Sequence, residues 1–181
     1  MIKNWSYTKL IDFEQCPYRV KLKHIDRLPE AKAPAAERGT LIHQYAEDYV
    51  CGKLNKLPGE LAKFSNEFES LRSEYKLGHV SLEGEWGFDK HWMPTDYKTA
   101  WLRVKGDTVV VRPDLALVID YKTGAKWGNE IKHGEQVQLY AISTLIRNPS
   151  LEKITVELWY LDKDDITRQD YTRNQALRYV Q

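Results

Sequence analysis

The chain has 181 residues, 42% of them hydrophobic and 12% aromatic, which is enough apolar matter for one packed domain over residues 1–181. Lysine and arginine number 27 against 26 aspartates and glutamates, so the formal net charge is +1. That balance excludes a histone-like polycation and an acidic solvating tail, and any nucleic-acid affinity must come from local clustering of charge. Two cysteines, Cys16 and Cys51, exclude a disulfide framework and a four-cysteine zinc or iron–sulfur site built by this chain alone. The longest aliphatic run, Leu115–Ile119, is far too short to span a membrane, and the opening residues carry no apolar stretch of signal-peptide type. The expectation is a cytoplasmic, reduced protein with no membrane association.

In chain order, Ser6 can cap a helix with Leu10 and Phe13 on one face, and Pro17 ends it and opens a second helix over Tyr18–Ile25. A loop rich in Ala and Pro, Leu28–Glu37, leads to Gly39-Thr40, which opens a helix through about Val50 with Ile42, Tyr45, Ala46 and Tyr49 at helical spacing. Glu60–Tyr75 reads as a further amphipathic helix. After Gly78 the texture changes to strands: Val80–Phe88, Thr99–Lys105 and Thr108–Arg112, with Gly106-Asp107 as the turn between the last two. Leu115–Tyr121 continues the sheet, and the lack of alternation over Leu115–Ile119 suits a strand covered on both faces. Glu135–Ile146 is a helix, Ile154–Leu161 a strand, and Ile166–Tyr171 a last short segment. Helices, strands, helix, strand: the order predicts an α/β architecture, a mixed sheet flanked by helices.

The most informative stretch runs from Arg112 to Gly124. Asp114 precedes the apolar run, Asp120 ends it, and Lys122 follows two residues on, so Asp120 and Lys122 point to one side of a strand. Two carboxylates and an ammonium at a strand end can hold a hard divalent cation, polarise a phosphoryl oxygen and orient a water. The acid-x-Lys triplet alone carries little information, because the chain has five copies, including Asp96-Tyr97-Lys98. Only the Asp120 copy follows an apolar strand with an aspartate upstream and a glycine downstream. A surface ion pair at a strand end is the plain alternative for Asp120 and Lys122.

Further motifs stand in a consistent order. They are Trp5–Arg19 with Cys16-Pro17, Arg38-Gly-Thr-Leu-Ile-His43, Glu85-Trp-Gly-Phe88, Pro113-Asp114, Asp120-Tyr-Lys-Thr-Gly124 and Gln136-Val-Gln-Leu-Tyr140. Together they resemble the RecB-like branch of the PD-(D/E)xK nuclease superfamily, which includes CRISPR-associated nucleases, helicase–nuclease subunits and phage exonucleases. The resemblance implies a restriction-endonuclease-like core with a central mixed sheet. A mostly helical part, 1–77, would contribute His43, and 78–181 would carry the catalytic sheet and its flanking helix. It implies Mg2+ or Mn2+ held by Asp114, Asp120 and Glu85, with the Tyr121 carbonyl as a further ligand. His43 would be a ligand or support one, and imidazole favours manganese. Lys122 would position the attacking hydroxide, while Gln136 and Tyr140 would buttress the site and contact DNA. Glu83 competes with Glu85, since both fall on one face of an alternating strand. Relatives with a four-iron cluster use three further C-terminal cysteines; here none follows Cys51, so no iron–sulfur cluster is expected. Val111 stands three residues before Asp114, where the family often has glycine.

Arg19, Lys21, Lys23 and Arg27 form either a solvated helix face or a phosphate-tracking rim beside the site. Trp5 is read as core, and Tyr7 and Tyr18 as core or as base-stacking platforms. The resulting expectation is an Mg/Mn-dependent deoxyribonuclease, an exonuclease on DNA ends or single strands, serving recombination, repair or degradation in a bacterial or phage-infected cell. It would work alone or be targeted by a recombination or single-strand-binding protein, and oligomeric state has no signature in the sequence. Two alternatives remain: a flap or junction endonuclease, and a non-catalytic nucleic-acid-binding module on the same fold.

Overall fold

A computed structural model describes every residue except Met1, Lys32, Ala125, Trp127–Asn129, Tyr179 and Gln181; the side chains of Glu130 and Ile131 are also outside the description. Helix α1 (Tyr7–Gln15) begins at Ser6, whose hydroxyl accepts from the Lys9 amide. Pro17 then takes the first position of α2 (Pro17–Val20), which runs on as a π-helical turn, Lys21–Ile25. Helix α3 (Pro34–Val50) starts with a proline at its first position, earlier than the Gly39 start read from the sequence. A 3-10 turn (Gly59–Phe64) leads into α4 (Ser65–Lys76).

Among the described residues six strands follow: β1 (Val80–Phe88), β2 (Pro94–Thr95), β3 (Leu102–Val111), β4 (Ala116–Lys122), β5 (Lys153–Tyr160) and β6 (Asp165–Thr172). Helix α5 (Glu130–Arg147) joins β4 to β5, and α6 (Arg173–Leu177) closes the chain. The sheet order is β2-β1-β3-β4-β5-β6, with β4 and β5 parallel and every other pair antiparallel. The parallel pair needs the α5 crossover, as parallel neighbours do. This is the mixed, helix-flanked sheet that the sequence predicts.

Helices cover both faces. On one, Val137, Tyr140, Ala141 and Leu145 of α5 pack on Trp86, Val104, Val118 and Leu158. On the other, Ile42, Ala46 and Val50 of α3 and Phe68 and Leu71 of α4 pack on Val110, Ile119, Tyr121 and Trp159. Phe64 stacks on Trp159 at 5.5 Å between ring centres.

One difference from the sequence reading decides the site. Gly106-Asp107 is not a turn: β3 runs through it as a single ten-residue strand. The β3–β4 hairpin closes instead at Arg112–Leu115, where each amide meets the other residue's carbonyl across Pro113-Asp114. Proline at the second turn position and aspartate at the third is ordinary turn chemistry.

Within β3 the side chains change faces. Leu102 and Val104 point to the α5 side, whereas Thr108 and Val110 point to the α3 side. Strand β1 changes at the facing position: Val80 and Leu82 join the α3 side, Trp86 and Phe88 the α5 side. Pairing runs from Val80–Val110 to Leu82–Thr108 and resumes at Gly84–Gly106. The two residues at the switch are Glu83, with a left-handed φ of 49°, and Asp107.

Candidate metal and nuclease site

The switch brings two carboxylates together. Glu83 and Asp107 converge with His43 of α3, and one ligand atom from each lies within 4.8 Å of the others. Asp107 Oδ2 accepts the Tyr121 amide at 2.8 Å, and its Oδ1 lies 3.3 Å from His43 Nδ1. Burial would lower the His43 pKa, but the hydrogen bond and charge of Asp107, with Asp120 and Glu83 beyond, raise it above the ordinary imidazole value. Lys105 is ion-paired with Glu83.

Beside this group stand Asp120 and Lys122 on the α5 face of β4. Asp120 is 3% exposed. Its Oδ1 accepts the Tyr140 hydroxyl at 2.9 Å, while Oδ2 makes no hydrogen bond but lies 2.6 Å from Lys122 Nζ. Burial and the Asp107 carboxylate raise the Asp120 pKa against the pull of Lys122 and Tyr140. Gln136 links the set: its Oε1 accepts from Lys122 at 2.8 Å and its Nε2 donates to the Tyr140 hydroxyl at 2.7 Å. Gln136 and Tyr140 are one turn apart on α5, the spacing that lets both reach the same strand end. Burial and the Asp120 charge raise the Tyr140 pKa, so its hydroxyl stays protonated as the donor.

A second anchor ties α3 to the end of β4. Arg38 donates to both Asp162 oxygens, at 2.9 and 2.6 Å, and the Gly124 amide donates to Asp162 Oδ2 at 2.6 Å. Lys63 Nζ donates to the Asp162 carbonyl at 2.8 Å. These contacts, led by Arg38, hold the Asp162 pKa down at about 2. A Cβ on Gly39 would come within 3.2 Å of Thr123 Oγ1, so glycine lets α3 approach the loop after β4 closely. The Arg38–His43 and Asp120–Gly124 motifs are therefore two sides of one contact.

An open cleft of about 700 Å³ gathers His43, Glu47, Glu83, Lys105, Asp107, Asp120, Lys122, Gln136 and Tyr140. The structure thus brings together His43, Asp120, Lys122, Gln136 and Tyr140 from the residues singled out in the sequence. Of the two glutamates left open, it places Glu83 in the cleft and leaves Glu85 exposed, opposite Lys105. Asp114 is exposed in the β3–β4 turn, at the opposite end of β4 from Asp120, and Asp107 occupies the position expected of it. Tyr140 lines the cleft, is 3% exposed, and donates its hydroxyl to Asp120. Tyr121 is buried, with its hydroxyl 2.8 Å from Thr108 Oγ1.

Arg19, Lys21 and Lys23 do not line the cleft. Arg19 and Lys23 are ion-paired with the buried Asp12 at 3.3 and 3.4 Å, and Lys21 with Asp26. Trp5 adds one bridge beside Leu102 and packs against the α5-side core, in keeping with the core reading. The Tyr7 hydroxyl donates to the Lys132 carbonyl at 2.5 Å, and Tyr18 is 63% exposed.

Asp107 and Lys105 also line the cleft, and the sequence reading did not single them out as site residues. The signal was present: a hairpin centred on Pro113-Asp114 puts Asp107 directly across from Asp120, one step beyond the observed Thr108–Ile119 pair.

A buried sheet whose central strand ends in Asp-x-Lys, facing a helix-borne histidine and a carboxylate on the neighbouring strand, defines a class of nucleases. Residues 4–180 match the family model of the PD-(D/E)XK nuclease superfamily, and the chain belongs to that superfamily. Among solved structures, it is similar to a protein from Eubacterium rectale described as a candidate exonuclease. The TM-score is 0.56 at 16% identity, covering 98% of this chain and 77% of that one. It also matches the protein SSO0001 with a TM-score of 0.46 at 16% identity, covering 95% of this chain and 68% of that one. No curated protein sequence matches significantly. Among the described residues no helix is long and apolar enough to cross a membrane.

Proposed function

We propose that the protein is a deoxyribonuclease that depends on Mg2+ or Mn2+ and acts on DNA ends or single strands. The convergence of His43, Glu83 and Asp107 beside Asp120 and Lys122 carries this reading. The donors fit such an ion: two carboxylates and one imidazole converge within 4.8 Å, with the buried Asp120 carboxylate lining the same cleft. The imidazole makes manganese the better match of the two. A bound cation supplies a Lewis acid for the phosphoryl oxygen and lowers the pKa of a water.

The chain's own groups do the rest. Asp107, Glu83 and His43 would hold the ion, with Asp120 next to them. Tyr121, whose amide already meets Asp107, carries its carbonyl on the same strand edge. Lys122 orients the attacking water and offsets charge on the phosphate; the water oxygen bonds to phosphorus as the P–O3′ bond breaks, the water's proton is lost to solvent and the departing O3′ takes one up, giving a 5′-phosphate and a 3′-hydroxyl. Gln136 and Tyr140 keep Lys122 and Asp120 in one rotamer each. The end-directed mode follows the resemblance to phage and DNA-degrading exonucleases, and a recombination or single-strand-binding protein is the natural partner for delivery to ends.

The test is cleavage of labelled linear and circular single-stranded DNA with Mn2+, with Mg2+ and with EDTA. Metal-dependent loss of the linear form alone supports the proposal. Cutting of the circle assigns a structure-specific endonuclease, and no product on either substrate assigns a binding module.

A further inference from the structure

Lys105 lies on β3 two residues before Asp107 and lines the cleft. Its ammonium is ion-paired with Glu83, one of the three converging ligand residues, and its side chain is 52% exposed. Lys122, the other lysine lining the cleft, is 19% exposed and committed to Asp120 and Gln136. The two lysines are therefore not equivalent: Lys122 is held in the cleft by two partners, whereas Lys105 is the more exposed and is ion-paired with Glu83. Backbone pairing of Lys105 with Glu85 holds the strand, so only the long side chain need move.

An ammonium and a divalent cation compete for the same carboxylate and repel each other at contact distance. Glu47, Glu83, Asp107 and Asp120 all face the cleft, a field that opposes an incoming phosphate until cations offset it. We propose that Lys105 is an exchangeable phosphate-binding residue. It holds Glu83 in the metal-free protein, and it turns to the substrate's phosphate oxygens when a divalent cation takes that carboxylate. The inference rests on the metal-dependent nuclease reading above and adds an order to it: cation first, then DNA.

Four proteins test it: wild type, Lys105→Met, Lys105→Arg and, as the control on the metal site, Glu83→Gln. Calorimetry with Mn2+ should show Lys105→Met binding the ion about three- to tenfold more tightly than wild type, since Glu83 has lost its competing cation. Anisotropy of a labelled single-stranded oligonucleotide in Ca2+, with its intactness checked on a gel, should show DNA binding about three- to tenfold weaker. The salt dependence should lose about one phosphate contact. In EDTA, where Lys105 is held by Glu83, the loss on Lys105→Met should be smaller than in Ca2+, and Lys105→Arg should restore the binding seen in Ca2+. Equal affinities throughout, or a parallel fall in both metal and DNA binding, overturns the exchange and leaves Lys105 as a brace between strands. Unchanged Mn2+ affinity in Glu83→Gln overturns the metal-site reading instead.

Discussion

Asp107 on β3 accepts a hydrogen bond from the backbone amide of Tyr121 on β4, at 2.8 Å. Here a side chain takes the place of a sheet bond, because regular β3–β4 pairing ends one step earlier at Thr108–Ile119. The carboxylate thereby fills a structural vacancy between two strands and keeps its other oxygen turned towards His43.

Asp107→Asn is the sharpest test of the site. An asparagine oxygen can still accept the Tyr121 amide, so the fold should hold. Mn2+ affinity measured by calorimetry should fall about 10- to 100-fold and cleavage should fall at least as far. Asp114→Asn, on the exposed turn, should leave both unchanged. The reverse pattern would move the site to the turn.

Lys122→Ala should reduce turnover about 10²- to 10³-fold while DNA binding changes little. It also removes the cation 2.6 Å from a buried carboxylate, so the Asp120 pKa should rise further. Lys98→Ala alters the same tetrapeptide in an exposed turn and should be silent in a gel-based cleavage assay. An inactive Lys98 variant beside an active Lys122 variant would reverse the assignment.

The Arg38–Asp162 pair predicts an acid limb of stability. The folded pKa of Asp162, about 2, lies below its ordinary value. The contribution is therefore fully present above about pH 4 and is lost as pH falls towards 2. Asp162→Asn keeps an acceptor for the Gly124 amide but loses the charge. It should cost about 1–2 kcal/mol at neutral pH, allowing for the half-exposed Arg38. The difference from wild type in thermal unfolding should vanish towards pH 2; a gap that persists there would show that packing, not charge, was lost.

Gly87→Ala tests the packing at the far end of β1. A Cβ there would meet the Ala100 Cβ and the Thr95 carbonyl oxygen at 2.8 Å each and the Asp96 carbonyl oxygen at 2.9 Å. Two of the three are backbone atoms that cannot rotate aside, so the variant should lose about 1–3 kcal/mol in denaturant unfolding. Full stability would mean that the β2 segment moves freely.

The fold was largely legible because its signals are local. The aliphatic Leu115–Ile119 run marked a strand covered on both faces, and Gln136 and Tyr140 at helical spacing marked one face of α5. The switch at Glu83 and Asp107 was not. Strand alternation assigns Glu83 and Glu85 to one face, and only a left-handed backbone at Glu83 separates them. Gly106-Asp107 reads as a tight turn because glycine and aspartate are the residues turns prefer. Pro113-Asp114 has the same chemistry and makes the real one. Choosing between two adequate turns needs the cross-strand register, which is a property of the pair and not of either segment. The Lys105–Glu83 ion pair was invisible for a similar reason: its two members meet only across the sheet.

The paired change of face in β1 and β3 carries an evolutionary corollary. Losing one residue from either strand near that point would turn half of the hairpin inside out, exchanging what meets α3 for what meets α5. Length changes in this hairpin should therefore be confined to its loops or come as matched compensations in both strands, so that the spacing of Glu83 and Asp107 from the flanking core positions descends as a unit.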